Sequence, residues 1–206
     1  VEPRSGRIII DGQDLSKVGL HDLRSRLYFV PQDPVILSGT LRSVLDVMNE
    51  FTDEEIYAAL RAVRLVADDR KSFTNLDMPI GENGNNLSLG ERQLLCVARA
   101  LLHKSRVVLF DEASSNIDHT TDSLLTQSIH DVFRDSTVLT IAHRLRTVIG
   151  YDRILFLHQG RIVETGTPAA LLSDTTSHFY RLCKKTGSSE LQHLIKEAQQ
   201  TAQRHD

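Results

Sequence analysis

The 206-residue sequence has no excess of positive charge, which limits the partners that we expect for it. Its 24 Lys and Arg residues are balanced by 27 Asp and Glu residues, for a net charge of −3. Proteins that bind nucleic-acid phosphates normally carry a basic excess, and polybasic membrane anchors carry clustered Lys and Arg. The charge balance therefore argues against a nucleic-acid partner and against such an anchor.

Cysteine and long apolar runs are also scarce. Cys96 and Cys183 are the only cysteines and form no C-x-x-C pair, which excludes a disulfide scaffold and a cysteine-based zinc site. Apolar runs such as residues 107–110 are far shorter than the ~20 residues that span a bilayer, and no signal peptide is visible. We therefore expect a soluble chain without a transmembrane segment. Because it begins with Val1 instead of Met, we expect a fragment of a longer protein.

What the sequence does contain is a regular alternation of predicted strands and helices, with enough apolar residues for one domain core. Strands are predicted at residues 7–10, 27–30, 107–110 and 137–141, and a hairpin at 154–163. Helices are predicted from residue 52, at 89–103, at 121–133 and over the last ~30 residues. This alternation implies crossover connections and a mostly parallel sheet flanked by helices, with ligands beyond the carboxyl ends of the strands.

The acidic pair Asp111 and Glu112 is the strongest local signal for chemistry. The apolar run before it predicts a buried strand whose end brings two carboxylates into the ligand crevice. One carboxylate can hold Mg²⁺, which prefers few protein ligands, and the other can orient and deprotonate an attacking water for phosphoryl transfer. Taken alone, the pair is equally compatible with a solvated acidic turn.

A second signal is the segment NLSLGERQ at residues 86–93, which leads into a long predicted helix. Ser88 is a favourable N-cap residue, and Gly90 lets a ligand approach the backbone closely. The free N–H groups and the positive dipole end of such a helix suit a phosphate oxygen. Taken alone, the segment predicts only a capped helix.

In combination, these segments resemble the nucleotide-binding domain of an ATP-binding cassette (ABC) transporter. Five stretches follow the order of the family's motifs: YFVPQ at 28–32 (Q-loop), LSLGE at 87–91 (LSGGQ signature), VVLFDE at 107–112 (Walker B), SNID at 115–118 (D-loop) and His143 (switch histidine). Five motifs in this order over more than a hundred residues are highly specific. The resemblance implies an α/β, P-loop NTPase-like ABC ATPase domain with a helical subdomain.

Further stretches narrow the resemblance to subfamily C, the multidrug-resistance-associated type, and to its second nucleotide-binding domain. Residues 32–42 and 81–84 are similar to segments of exporters, and residues 49–56 and 160–168 are similar to subfamily C. The resemblance covers residues 1–183 and leaves residues 184–206 as a C-terminal helical tail.

The resemblance also implies roles in hydrolysis for individual residues, with ATP and Mg²⁺ as ligands. Glu112 is implied as the general base, and Asp111 as the residue that supports Mg²⁺. Gln32 is implied to reach the metal or the attacking water and to sense the transmembrane domain. His143 is implied to form a hydrogen bond with the γ-phosphate.

The remaining implied roles concern partners. Ser88 and Gly90 would cap the γ-phosphate of a nucleotide bound by a second nucleotide-binding domain, in a head-to-tail ATP sandwich, and Asp118 would order that interface. The other implied partners are the transmembrane domains of the same transporter. The chain would then work at the cytoplasmic face of a membrane, as part of an integral membrane exporter.

The sequence departs from the family pattern at three places. Leu89 and Glu91 replace the Gly and Gln of the signature, and the carboxylate of Glu91 is expected to weaken binding of a triphosphate unless it points away. Asn116 and Ile117 are a mild change in the D-loop. No G-x-x-x-x-G-K-[ST] loop is present, because no glycine is followed by lysine. We therefore expect an N-terminally truncated domain that binds ATP weakly or not at all by itself.

Three other interpretations would explain parts of this sequence. A soluble ABC protein of chromosome maintenance or DNA repair would need a long coiled coil before the signature, and residues 1–86 contain no heptads. A regulatory nucleotide-sensing module stays open, although Glu112 favours a hydrolytic site. A pseudo-domain that acts only through protein contacts also stays open, and a start codon beside Val1 would favour it.

Overall fold

The computed structural model describes residues 6–66, 73–111, 119–142 and 144–205. The chain divides into two compact units, Val1–Ile141 and Ala142–Asp206, and each is described by itself. In the first unit the strands are β1 (Ile9–Ile10), β2 (Gln13–Asp14), β3 (Leu27–Val30), β4 (Gly39–Thr40), β5 (Pro79–Ile80), β6 (Val107–Asp111) and β7 (Thr137–Ile141). Its helices are α1 (Leu20–Arg26), α2 (Leu41–Leu45), α3 (Asp53–Ala62), α4 (Leu89–Leu102) and α5 (His119–Val132).

A parallel three-stranded sheet forms the frame of the first unit, as the sequence predicts. Strand β6 lies between β3 and β7, with Val30 opposite Phe110 and Asp111 opposite Ile141. Because neighbouring strands run in the same direction, their carboxyl ends meet at one edge of the sheet. The segments that follow β3 and β6 therefore start from this edge.

Helices α3 and α4 both begin with a capping box. Thr52 and Glu55 exchange side-chain to backbone hydrogen bonds at the start of α3, and Ser88 and Glu91 do the same at the start of α4. Such a box satisfies two N–H groups that the first turn of a helix leaves without an internal partner. The helix predicted from residue 52 is thus confirmed.

The core of the first unit is built around α4, which is apolar on most of its circumference. Its buried residues pack with α2, α3 and β3, and many side chains in the cluster are almost fully enclosed: Leu41, Ile56, Leu60, Val63, Leu95, Val97, Ala98, Val108 and Phe110. A helix this apolar is expected only inside a core. The N-terminus of α4 is therefore held by packing along the whole helix.

The second unit begins with helix α6 (Leu145–Ile149) and the antiparallel hairpin of β8 (Ile154–His158) and β9 (Arg161–Gly166). Gln159 and Gly160 form the turn with φ angles of 48° and 74°. Glycine reaches such angles at no steric cost, which explains why Gly160 occupies the tip. The hairpin predicted at residues 154–163 is confirmed.

Three helices complete the second unit: α7 (Pro168–Ser173), α8 (His178–Lys184) and α9 (Ser188–His205). They share a separate apolar core with α6 and β8, whose members are Ile149, Ile154, Leu171, Leu172, Phe179, Cys183, Leu191, Leu194 and Ala198. The C-terminal helices α8 and α9 are separated at Gly187, which has a φ angle of 104°. Within the described ranges, no helix is long and apolar enough to cross a membrane.

Candidate functional site

Gln32 and Asp111 are brought to the same edge of the parallel sheet. Asp111 is the last residue of β6, and Gln32 follows the end of β3 by two residues. The register of Val30 with Phe110 places the ends of these two strands side by side. Ligands bind at this edge in open α/β sheets. The predicted role of both Gln32 and Asp111 at a metal ion is compatible with this placement.

The oxygens at this edge suit Mg²⁺ bound together with a polyphosphate. Asp111 supplies a half-buried carboxylate, and Gln32 carries an amide oxygen. Mg²⁺ in such sites takes one or two protein oxygens and completes its shell with phosphates and water. The residues that the structure describes therefore fit the metal, although the sequence contains no G-x-x-x-x-G-K-[ST] loop for the phosphates.

Ser88 is the N-cap of α4, and Gly90 lies in the first turn of that helix. The Ser88 hydroxyl accepts the N–H of Glu91 at 3.2 Å, and both the hydroxyl and the N–H of Ser88 donate to Glu91 Oε2 at 2.8 Å. Gly90 is buried and presents only backbone. The helix terminus has the donors and the missing side chain that a phosphate contact requires.

The Glu91 carboxylate already uses the donors of Ser88. An anion that approaches Ser88 therefore competes with Glu91 for the same hydroxyl and N–H, besides meeting its negative charge. The sequence leaves open whether the Glu91 side chain points away from Ser88. In the structure it turns back and accepts a hydrogen bond from the Ser88 hydroxyl. Glu91 thus stabilises the start of α4, and its carboxylate also repels an anion that approaches Ser88.

The loop before α4 is tied to this helix by side-chain contacts. Asn86 accepts the N–H of Gly81 at 2.9 Å and donates to the carbonyl of Pro79 at 2.9 Å. Arg92 of α4 donates to the carbonyl of Asn83 at 3.3 Å. These hydrogen bonds thus hold the segment at 81–84, which the sequence resemblance assigns to contacts with transmembrane domains, against the start of the signature helix.

Arg99 is a structural residue that the sequence reasoning missed. Its Nε and Nη2 donate to the carbonyl of Val44 at 2.9 and 2.7 Å, and its Nη1 donates to the carbonyl of Val35 at 3.5 Å. It therefore fixes the segment after Gln32 against α4. A signal was present, because Arg99 interrupts the buried face formed by Leu95 and Leu102, where a charge needs partners.

Tyr28 on β3 joins the same group of contacts. Its ring lies 5.2 Å from that of His103, and burial raises the pKa of its phenol to about 12, against the opposing effect of Arg99. The strand that leads to Gln32 is thereby fixed to the C-terminal end of α4.

Three predicted site residues, Glu112, Asp118 and His143, lie outside the described residues. Their chain neighbours are described: Asp111 ends β6, and Arg144 caps the N-terminus of α6. Their roles stay predictions.

A cavity in the described part of the first unit lies away from this edge of the sheet. Its volume is about 310 Å³, and it is lined at the amino ends of β3 and β6 by Leu27 and Val107. Ligands of this type of sheet bind at the opposite ends of the strands. We therefore do not assign this cavity to the predicted site.

Comparison with known proteins decides the family. Residues 1–115 match the ABC transporter family. The chain belongs to the ABC transporter family. Domains of this family bind ATP, generally with Mg²⁺, which is the chemistry that the oxygens at the sheet edge fit.

Its relatives include transporters of subfamily C. The chain is 48% identical over 191 residues to ABC transporter C family member 6 of Arabidopsis thaliana. The aligned residues cover 92% of this chain and 13% of that protein. It is 45% identical over 193 residues to ATP-binding cassette sub-family C member 2 of Rattus norvegicus, which covers 94% of this chain and 12% of that protein. The chain thus spans about an eighth of the length of these relatives.

A solved structure shares the fold. A bacterial Atm1-family ABC exporter with ATP bound superposes with a TM-score of 0.81 at 32% identity, over 91% of this chain and 33% of that chain. The predicted fold class, an ABC ATPase domain with a parallel sheet flanked by helices, is confirmed.

Proposed function

We propose that this chain is part of the nucleotide-binding domain of a subfamily C exporter, in which ATP hydrolysis drives transport of a substrate across a membrane. The observation that carries the proposal is the pairing of β3 with β6, which brings Gln32 and Asp111 to one sheet edge in a chain of this family. We assign residues 1–183 to the nucleotide-binding domain and residues 184–206 to a C-terminal helical tail.

In this proposal, side chains at the carboxyl edge of the sheet orient and deprotonate the water that attacks the γ-phosphate. Glu112 accepts the proton of the attacking water, and Gln32 orients that water or contacts the metal. His143 donates a hydrogen bond to the γ-phosphate. Asp111 and Gln32 would hold Mg²⁺, which would supply positive charge that offsets the negative charge of the phosphates.

Ser88 and Gly90 act on a different nucleotide, one bound by a second nucleotide-binding domain. A phosphate oxygen displaces Glu91 from the Ser88 hydroxyl and takes its place at the first turn of α4. ATP then joins two domains because each completes the site of the other, with Asp118 at their interface. Hydrolysis removes the bridge, and the domains separate, which is a ligand-driven population shift.

A second candidate function is a pseudo-domain or regulatory nucleotide-sensing module that works through protein contacts. The carboxylate of Glu91, which already accepts hydrogen bonds from the N–H and the hydroxyl of Ser88, favours it. The two candidates differ in one property, since only the first requires turnover of ATP at the site that contains Glu112.

The test is the Mg²⁺-dependent ATPase rate of the full-length gene product in membranes. Glu112→Gln removes the proposed base but keeps the size of the side chain, and we expect a fall of about 100-fold or more. Glu54→Gln is the matched control, because Glu54 is an exposed carboxylate on α3. Equal rates in the wild type and the Glu112→Gln protein would remove Glu112 from this role and favour the second candidate.

A further inference from the structure

The cavity at the amino ends of β3 and β6 lies at the opposite edge of the sheet from Gln32 and Asp111. Its volume of about 310 Å³ falls at the lower end of the range for small-molecule pockets. Its walls come from the β1–β2 hairpin, from α1 and the segment before it, and from residues 104–107. All of these elements belong to the first unit. The cavity is therefore separate from the predicted metal and phosphate site.

The cavity has an apolar lining of its own. Six half-buried apolar residues line it, and none of them belongs to the core cluster around α4: Ile10, Leu15, Val18, Leu23, Leu27 and Val107. Apolar surface at a concave site is stabilised when an apolar group covers it and displaces water. The lining therefore favours a ligand with an apolar body.

Two arginines of the cavity wall stand at the starts of neighbouring strands. Arg26 precedes Leu27, Arg106 precedes Val107, and Leu27 is paired with Val107 in the parallel register of β3 and β6. Neighbouring strands lie about 5 Å apart, so the backbones of the two arginines are close. Within the described ranges, neither guanidinium has a hydrogen bond or an ion pair. Two like charges side by side repel each other, and an anion that both contact offsets this repulsion.

The other charged residues leave the cavity positive. Lys104 also lines it, and the described ion pair of Lys104 with Glu55 is long, at 3.9 Å. Asp11 is the one carboxylate among the described lining residues, and no described ion pair joins it to the three cations. Three positive charges and one negative charge give the lining a net charge of +2, although the whole chain has a net charge of −3. A concave surface with one sign of charge attracts ligands of the opposite sign.

The backbone at Arg106 is fixed by contacts within the protein. The carbonyl of Arg106 accepts the N–H of Thr137 at 2.7 Å, and the carbonyl of Ser105 accepts the hydroxyl of Ser136 at 2.9 Å. Ser105 itself is only 5% exposed. A site whose backbone is already ordered avoids part of the entropy cost of binding.

We propose that this cavity is a second ligand site of the chain, and that it binds a small organic anion with an apolar body. The carboxylate or sulfonate of the ligand lies between Arg26 and Arg106, because a guanidinium donates two parallel hydrogen bonds to the oxygens of such a group. The apolar body covers the half-buried lining. The proposal goes beyond ATP hydrolysis and does not depend on it.

The test is photo-crosslinking of the full-length gene product in phosphatidylcholine nanodiscs. The probe is 4-benzoylbenzoate, a benzophenone with one carboxylate, and peptide mass spectrometry locates and quantifies the photolabel. We expect saturable photolabelling of peptides that contain residues 10–27 or 104–107, and competition by naphthalene-2-sulfonate. The neutral naphthalene-2-methanol should compete about tenfold more weakly, because it lacks the charge that the arginines recognise.

Three variants assign the binding to the two arginines. Arg26→Gln and Arg106→Gln each remove one guanidinium, and we expect the half-saturating probe concentration to rise about three- to tenfold in each. Arg61→Gln is the matched control and leaves that concentration unchanged, because Arg61 is exposed on α3 and does not line the cavity. Cys96 is buried in the core of the first unit, so slow alkylation of its thiol shows that each variant is folded.

Three results would overturn the proposal. The absence of saturable photolabel on these peptides would mean that the cavity is closed or filled in the full-length protein. Equal half-saturating concentrations in the wild type, Arg26→Gln and Arg106→Gln proteins would mean that the probe binds through its apolar body alone. Loss of photolabelling when phosphatidylserine is added to the nanodiscs would mean that a lipid headgroup, and not a free anion, occupies the site.

Discussion

The two units of the chain reach a stable core by different means. In the first unit the long helix α4 is nearly surrounded by apolar partners, and Arg99 anchors it through backbone carbonyls. In the second unit the short helix α6 relies on α9, which it meets 44 residues later in the chain through an exposed ion pair. The apolar surface of α4 can be predicted from local sequence patterns, whereas the contacts of Arg99 and Arg146 join segments that are 55 and 44 residues apart in the chain.

The largest expected effect tests whether each cysteine reports its own core. Leu95→Ala and Leu194→Ala each delete a fully buried side chain, and we expect a loss of about 2–5 kcal/mol in unfolding free energy for the affected unit. Leu95→Ala should speed labelling of Cys96 more than that of Cys183, and Leu194→Ala should do the reverse. Pulse labelling in urea measures both rates, and equal acceleration of both thiols by either variant would contradict the separation of the cores.

The next effect compares the two arginines that anchor helices. Arg99→Met leaves the carbonyl of Val44 without its two hydrogen bonds from a charged group, and we expect about 3 kcal/mol of destabilisation of the first unit. Arg146→Met breaks an exposed pair, and we expect about 1 kcal/mol or less. Urea denaturation measures both. A larger loss for Arg146→Met than for Arg99→Met would show that the exposed Arg146–Glu190 ion pair stabilises its unit more than the hydrogen bonds of Arg99 to the Val44 carbonyl stabilise the first unit.

A smaller effect separates the capping boxes at the starts of α3 and α4. Ser88→Ala and Thr52→Ala each remove an N-cap hydroxyl, so we expect a similar loss of about 1 kcal/mol in unfolding free energy. Only Ser88→Ala should also reduce the ATPase rate of the full-length protein, because only Ser88 belongs to the signature segment. A matching loss of activity in Thr52→Ala would mean that helix stability alone explains the effect.

The smallest effect concerns alkaline pH and the second unit. Burial raises the pKa of the Cys183 thiol to about 11, whereas an exposed thiol has a pKa of about 8.5. Between these two pH values the folded unit keeps the thiol proton and the unfolded chain loses it. The contribution of the protonated Cys183 thiol to the unfolding free energy is complete below about pH 8.5 and is lost as the pH rises towards about 11. Urea unfolding followed between these pH values should show a slope that Cys183→Ala reduces. An identical slope in both proteins would rule out Cys183 as the group responsible.

Much of the fold could be predicted because its signals are local. The capping box at Thr52, the apolar run before Asp111 and the turn at Gly160 each identify an element within a few residues, and the structure confirms all three. Motif order then fixed the family, since the signature and Walker B segments belong together. These features need no knowledge of distant contacts.

The missed features are those that tertiary contacts create. Helix α6 has too few residues to produce a helical pattern, and α2 forms where its N–H groups meet the carbonyls of Leu76 and Met78. The direction of the Glu91 side chain could not be read from the signature, because a glutamate at that position can either cap the helix or extend into solvent. The Arg146–Glu190 pair had no local signal, since a charge near the start of α9 is also typical of an ordinary surface helix.

The central claim is that this chain contributes to a split site in which ATP lies between Glu112 of one domain and a signature serine of another. The most direct measurement is the dissociation rate of radiolabelled ATP from the full-length Glu112→Gln protein, with and without a Ser→Ala substitution in the signature of the second nucleotide-binding domain, which faces the Glu112 site. The account predicts slow release of intact ATP from Glu112→Gln, and release about tenfold or more faster when that signature serine is also replaced. Fast release from Glu112→Gln, or release that replacement of that serine does not change, would contradict the split site.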